Sequence, residues 1–419
     1  MRLPRSPRFG RIIKMPHPHI RLTFYLPAFT LLAFTLLTSC VAGPGPGAAP
    51  AIENASAPTP GISSFASATV SPDPTASAQN PPFAIPQIAT AAPGIDPLTG
   101  LPPADPSYLQ RRPVAIKVAN YPRYIRPQAG LTYADVVFEY YIEALLTRFI
   151  AVYYGNNPNM VGPVRSGRYF DEHVVRMYHA FYVFQYADPR EFQYFYSGDL
   201  RSFLMLQGYG PCPPFFDSRR PVETYNNAYF DVTKLNDCAL QFHLDNSPQN
   251  IRSGFFSMSL PSGGYLVERI FTHYSVDDYN YWQYDPMTQR YLRFQEADDT
   301  RDNKPKTYAP LVDYLNNQQV SADNVIVLFV SHTFLNAGEQ QDEVYHINLV
   351  DSGQAFVFRN GLAFPARWFR SDIDQPLLIT NLDGTPLYLK PGQTFFQIIG
   401  VTSTDWSDGA DWHFDFHTP

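Results

Sequence analysis

The sequence predicts an α+β protein: an N-terminal α/β domain followed by a mainly antiparallel β C-terminal domain. Two observations carry this. Between residues 113 and 186, short β-rich runs alternate with a segment of helical spacing, as in a sheet that carries helices. From about residue 252 onward, short alternating runs recur between turn signals, as in a sheet built from hairpins. Composition bounds the whole: 45% of the 419 residues are hydrophobic and 16% are charged, enough apolar chain for a sizeable core in two or three domains.

Taken in order, residues 1–40 hold six basic residues (Arg2, Arg5, Arg8, Arg11, Lys14 and Arg21) and no acid. The apolar run LTFYLPAFTLLAFTLLTSC follows, about the length of a signal-peptide core. It closes on Leu37, Thr38, Ser39 and Cys40, which looks like the bacterial lipobox, where a cysteine behind a small residue is lipidated and becomes the new N-terminus. Residues 1–40 are therefore read as a lipoprotein signal peptide and Cys40 as the lipidation site. Residues 41–94 are dominated by Pro, Ala, Ser, Thr and Gly, and no Lys or Arg occurs from there until Arg111. Such a stretch buries too little apolar surface to offset its ordering entropy and reads as a disordered tether. Anchor and tether together place the protein on the extracytoplasmic face of the bacterial cell membrane.

The N-terminal domain is read over residues 95–250. PVAIKVAN (113–120) and RFIAVYY (148–154) read as strands, and residues 132–141 as a short helix or a strand. In DEHVVRMYHAF the apolar positions 174, 175, 178 and 181 follow helical spacing. Residues 181–186 form a further strand candidate, stopped by Asp188 and Pro189, and a helix is expected from Asp231 on. The C-terminal domain is read over residues 251–405 and a tail over 406–419. Its strand candidates include NYWQYD, QRYLRF, NVIVLFVSH, GQAFVFRNG, PLYLKPG and QTFFQIIGV, with Asn360-Gly361 and Asp383-Gly384 as hairpin signals.

Charge excludes one function class. Beyond residue 40 the chain holds 25 basic against 38 acidic residues, a formal charge of −13, which suits neither DNA nor RNA phosphates. No nucleic-acid partner and no cofactor are expected. Outside the cytoplasm Cys212 and Cys238 are free to form a disulfide, and neither has metal-ligand spacing. No metal site is assigned.

The candidate chemistry centres on GPVRSGRYF (162–170). Arg165 and Arg168 sit three apart behind a Gly-Pro turn, with Ser166 between them and a predicted helix after them. Guanidinium forks near free backbone N–H groups suit a carboxylate or phosphate. The competing reading pairs these arginines with Asp135, Glu139 or Glu143 inside the domain. Arg148 adds a third cation, and Asn120 and Arg126, at and after the end of the first strand, complete the expected ligand cleft. Glu139 and Glu143, four apart, point the same way in a helix or a strand and are the candidates for a paired-carboxylate hydrolase acting on wall polymer. The reading favoured here is a binding or scaffolding protein for an anionic cell-wall fragment or an envelope protein. DWHFDFH (411–417) alternates metal-capable and aromatic residues, a pattern that a strand packing its aromatics on the body also explains. The nine Phe and Tyr residues between positions 178 and 196 read as packing or as a stacking platform.

Five stretches in fixed order carry a family likeness: PLTGLP (97–102), RRPVAIKVAN (111–120), RPQAGLTYADVVFE (126–139), TRF (147–149) and GPVRSGR (162–168). NVIVLFV (324–330) and DGTPLYLKPGQTFFQII (383–399) agree in the later half. Over roughly residues 95–402 the chain resembles the bacterial YerB-like lipoprotein family, whose members join a domain of unknown function to its own C-terminal domain. The resemblance implies export, lipidation and a two-part fold, and it brings no catalytic residues. Glu223-Thr224-Tyr225-Asn226 stands where a Pro-His-Asn-like turn is expected, which puts a role for a histidine there in doubt.

Overall fold

The computed structural model describes residues 86–206, 215–337 and 343–419. In chain order its strands begin with β1 (Val114–Ala119), β2 (Val136–Glu143) and β3 (Leu146–Tyr153). Helix α1 (Asp171–Met177), β4 (Phe181–Phe184), α2 (Pro189–Ser197) and β5 (Leu204–Leu206) follow. A small ribbon of β6 (Phe215–Asp217) and β7 (Ala228–Phe230) precedes α3 (Leu235–Gln241). The remainder is β: β8 (Tyr265–Leu266), β9 (Arg269–His273), β10 (Tyr279–Asp285), β11 (Arg290–Glu296), β12 (Tyr308–Pro310) and β13 (Ser321–Ala322). Then come β14 (Asn324–Phe334), β15 (Tyr345–Asn348), β16 (Asp351–Arg359), β17 (Leu362–Arg370) and β18 (Leu378–Thr380). The last are β19 (Thr394–Gly400), β20 (Thr404–Asp408) and β21 (Asp411–Asp415).

The architecture is mainly β, with three α-helices of seven, nine and seven residues among the described residues. One large sheet runs β18-β17-β16-β14-β19-β2-β3-β1-β4-β5, with β15 on β14 and β8 on β17. Strands from both sides of residue 250 share it: β19 lies between β14 and β2 and pairs with both in parallel, Phe396 opposite Ile326 and Phe138. The second sheet runs β12-β11-β10-β9-β21-β20, with β13 on β11.

The central strands β1, β2, β14 and β19 are near-continuous apolar runs because both faces are covered. On one face Phe170, at the start of α1, meets the Phe138 ring at 6.2 Å. On the other the second sheet packs, with Trp282 at 4.8 Å from Phe395 and Phe414 at 5.9 Å from Phe358. The helices are too short to cover a sheet this wide, and the second sheet takes that place.

Several sequence expectations change. Residues 132–141, open between helix and strand, are strand from Val136 on, whereas the expected separate N-terminal α/β domain is not seen, since its strands share one sheet with those of the later half. PLYLKPG forms no strand and touches its neighbours through isolated bridges, Leu389 to Phe256 and Pro386 to Thr380. Residues 404–415 form a hairpin, with β21 inside the second sheet and β20 at its edge. Its Trp412 and Phe414 turn inward. Asp411 is bound by Arg269, Asp415 lies 3.5 Å from His273, and the His413 ring is stacked between Trp406 at 3.7 Å and Phe271 at 4.7 Å.

Candidate functional site

Residues 162–167 cross the C-terminal ends of the parallel strands β1 and β4. The Arg165 N–H donates to the Lys117 carbonyl at 3.0 Å, and the Gln185 N–H donates to the Arg165 carbonyl at 3.0 Å. The two glycines have steric reasons. Gly162 has φ +146°, and a Cβ there would lie 2.7 Å from the Val164 nitrogen. At Gly167 a Cβ would fall 3.1 Å from the Phe184 ring. The segment is extended here rather than helical, so positions three apart leave it in opposite directions.

Arg168 turns inward. It ion-pairs with Glu143, lies 3.6 Å from Glu191 and donates to the Gly167 carbonyl at 2.7 Å. Arg148 donates to the Ser166 carbonyl at 3.0 Å and approaches the same Glu143 at 3.6 Å. Burial lowers the Arg148 pKa to about 9, and the neighbouring Arg168 charge adds to the effect. Burial also works against Arg168, but Glu143 and Glu191 outweigh it and its pKa ends raised. Beneath them Lys117 and Asp171 form an ion pair at 3.0 Å with neither side chain exposed, and the Tyr140 and Tyr182 hydroxyls donate to the same carboxylate. Burial brings Lys117 down to about 7.

Asn120 and Arg126 belong to a different place, a buried polar network between the two sheets. Asn120 donates to the Thr147 hydroxyl at 2.9 Å, and its carbonyl accepts from Arg126 Nε at 3.1 Å. Arg126 also donates to the Glu296 carbonyl at 2.8 Å and ion-pairs with the Glu296 carboxylate. Glu139 pairs with Arg293 at 2.8 Å, and the Thr147 hydroxyl donates to it at 2.9 Å. Asp278 accepts from the Thr147 N–H at 2.8 Å and from Gln295 Nε2 at 3.2 Å. Burial pushes Glu139 up to about 7 and Glu296 up to about 8, with Asp278 adding repulsion and the arginines opposing it.

Of the two arginines in the 162–168 loop, Arg165 is the one that reaches the surface. It is partly exposed, and no carboxylate among the described residues lies within ion-pair distance of it. Its Nη1 donates to Asn226 Oδ1 at 2.6 Å, and its guanidinium lies 5.2 Å from the centre of the Tyr225 ring. Asn226 Nδ2 donates in turn to Glu223 at 3.1 Å, and the Tyr124 hydroxyl donates to Glu223 at 2.7 Å. Tyr124 and Tyr225 are each about half exposed, at 54% and 52%. Tyr186, whose carbonyl accepts from the Gly167 N–H at 2.9 Å, is exposed with φ +62°. The result is a half-sunk guanidinium among tyrosines at the C-terminal ends of the parallel pair β1 and β4.

The expected cleft therefore divides in three: Arg148 and Arg168 converge on Glu143, Asn120 and Arg126 sit between the sheets, and Arg165 faces outward beside Ser166. His173 sits against Arg370 at 3.2 Å and makes no hydrogen bond to Ser166. Cys238 is disulfide-bonded; Cys212 and Cys40 lie outside the described residues. Sequence reasoning missed Tyr124, Tyr225 and Asn226 as companions of Arg165. The one signal available was the polar Glu223-Thr224-Tyr225-Asn226 turn within an aromatic-rich stretch.

Residues 98–244 match the sequence model of the family described as protein of unknown function (DUF3048), N-terminal domain, and residues 270–396 match that of its C-terminal domain. The chain is 25% identical over 305 residues to a Bacillus subtilis (strain 168) protein named "Putative lipoprotein YerB", which covers 72% of this chain and 85% of that one. In three dimensions it is similar to the crystal structure of the YerB protein from Bacillus subtilis, with a TM-score of 0.59 and 23% identity over 73% of this chain and 96% of that one. At that identity the likeness concerns the fold.

Proposed function

This chain belongs to the DUF3048 family, and on that premise we propose that it is a lipid-anchored envelope protein that binds a negatively charged ligand at Arg165. The anchor is Cys40, and the stretch from residue 41 is the tether to the extracytoplasmic face of the membrane; it ends earlier than residue 94, because Ile88 is buried against the folded part. The lipobox-like sequence and the name of the Bacillus subtilis relative support this part of the reading.

One observation carries the binding role. Arg148 and Arg168 spend their charge on Glu143, whereas Arg165 meets a neutral amide and an aromatic ring and keeps a partly exposed face. Glu143 and Glu223 act on it only from beyond ion-pair distance, and a guanidinium so placed and oriented in advance favours a carboxylate or phosphate over water. The flanking tyrosines add flat apolar contact for the rest of such a ligand. A cell-wall fragment and an acidic segment of an envelope protein share this chemistry. Catalysis by Glu139 or Glu143 forms no part of the reading, because each carboxylate is occupied by arginine and Glu139 has no exposed surface.

The test is calorimetric titration with inorganic phosphate and with a carboxylate-bearing muropeptide. Binding of either probe that is lost in Arg165→Ala, at unchanged melting temperature, supports the proposal. Absence of binding to both, or equal binding by the variant, overturns it.

A further inference from the structure

A second concave surface has the opposite chemistry to the Arg165 patch. It is an open groove of about 740 Å³ between the loop of residues 257–263 and the turn of residues 381–386, at the β17–β18 margin of the large sheet. That size suits a small ligand or a short length of polymer. No Lys, Arg or His lines it, and its one charged group is Asp383. It is lined by the hydroxyl residues Ser257, Ser259, Ser262 and Thr385, by Leu260, Leu382 and three prolines, and by Tyr265 and Tyr388, which are 60% and 44% exposed.

Both walls are fixed by bonds of their own. The Ser257 N–H donates to the Leu389 carbonyl at 2.9 Å, and the Leu389 N–H donates to the Phe255 carbonyl at 2.7 Å. Opposite, Asn381 Nδ2 donates to the Thr385 hydroxyl at 2.9 Å, and the Thr385 N–H donates to Asp383 at 2.9 Å. A guest would therefore meet a surface already ordered, with little entropy lost on binding.

We propose that this groove binds a neutral oligosaccharide. A lone carboxylate with no cation repels anionic guests, and a single acid among hydroxyls is weak attraction for a cation. A sugar ring offers what the lining lacks: hydroxyls to pair with the serines, Thr385 and Asp383, and an apolar face for the tyrosine rings. An extended peptide fits less well, since the outer edge of β18 is already taken by the chain itself: Leu387 N–H donates to the Ile379 carbonyl, and Pro386 bridges Thr380. That leaves no open strand edge there for a peptide to join. This site stands apart from the proposed Arg165 function, as no residue of that patch lines the groove.

The test is affinity electrophoresis of the full chain through gels containing amylose, a soluble β-1,4-glucan or a soluble N-acetylglucosamine polymer. At least one should retard the wild type. The Tyr265→Ala/Tyr388→Ala double variant should then bind about tenfold more weakly or worse, as expected for loss of exposed aromatic anchors. Ser259→Trp, which fills the groove from an exposed position and removes no observed side-chain contact, should do the same. Arg165→Ala should bind as the wild type does, so the two proposed sites fail independently. Retardation by none of the three polymers, retardation unchanged in both groove variants, or displacement of the sugar by an unstructured peptide would each overturn the assignment.

Discussion

Glu139 on β2 and Arg293 on β11 form an ion pair at 2.8 Å across the two sheets, with neither side chain exposed. The guanidinium sits among aromatic rings, 5.1 Å from the centre of Trp282 and 5.2 Å from that of Phe395. Removing one partner of such a pair strands a charge in a low-dielectric interior. Arg293→Ala should destabilise the fold by about 3–5 kcal/mol. The double variant Glu139→Gln/Arg293→Met should lose less than the two single changes combined. Urea denaturation of the wild type, Arg293→Ala, the two single changes and the double variant checks both statements, and additive losses would mean the pair is not coupled.

The same network should make stability depend on pH. Burial raises Glu139 to about 7 and Glu296 to about 8, both above the ordinary carboxyl value of 4.5. The folded form therefore holds protons that the unfolded chain has already released, and stability falls as pH rises through that window. Lys117 acts in the other direction. Burial lowers it to about 7 from 10.5, so its contribution is least favourable below that folded value and recovers as pH climbs toward the unfolded one. Glu139→Gln removes one titrating group. The wild type should lose stability relative to this variant by up to about 1.4 kcal/mol per pH unit between roughly pH 5 and 7. Parallel stability curves would remove Glu139 from the account.

Arg165 and Arg168 should separate cleanly. Arg168→Ala leaves Glu143 and Glu191 without a cation they share and should cost about 3 kcal/mol. Arg165→Ala breaks its bond to Asn226, a long one to the Tyr225 carbonyl and the contact with the Tyr225 ring at a partly exposed position, and should cost about 1 kcal/mol. Equal losses on thermal unfolding would make Arg165 a structural residue and remove the basis of the binding proposal.

Cys40→Ser tests the anchor. The variant should lose incorporated labelled fatty acid and move from the membrane pellet to the soluble fraction. A variant that stays in the pellet after a salt wash would show that something else holds the protein to the membrane.

Much of this was legible in the sequence where the physics is local. Asn360-Gly361 supplies the positive φ values, +52° and +73°, of the β16–β17 hairpin, and the helical spacing after Gly167 became α1. The family emerged from short motifs in a fixed order. Less could be read where burial erases periodicity: VVFEYYIE is covered on both faces and shows neither helical nor strand rhythm. The candidate site was half legible for a geometric reason. Spacing alone sets Arg165 and Arg168 toward one cleft, but three positions along an extended segment reverse direction, so one points out and the other in. Arg293 was missed because it interrupts an alternating strand, and its partner lies 154 positions earlier in the chain.

The placement of β19 between β14 and β2 bears on how the molecule is made. In a chain exported N-terminus first, β1 to β5 can form once residue 250 has crossed the membrane, but one margin of β2 has nothing to bond until residues 394–400 follow. Until then an apolar strand stands with an open ladder, an invitation to intermolecular pairing. The two family segments are thus unequal to two folding units, and a fragment ending between them should precipitate unless the missing strand is supplied in trans.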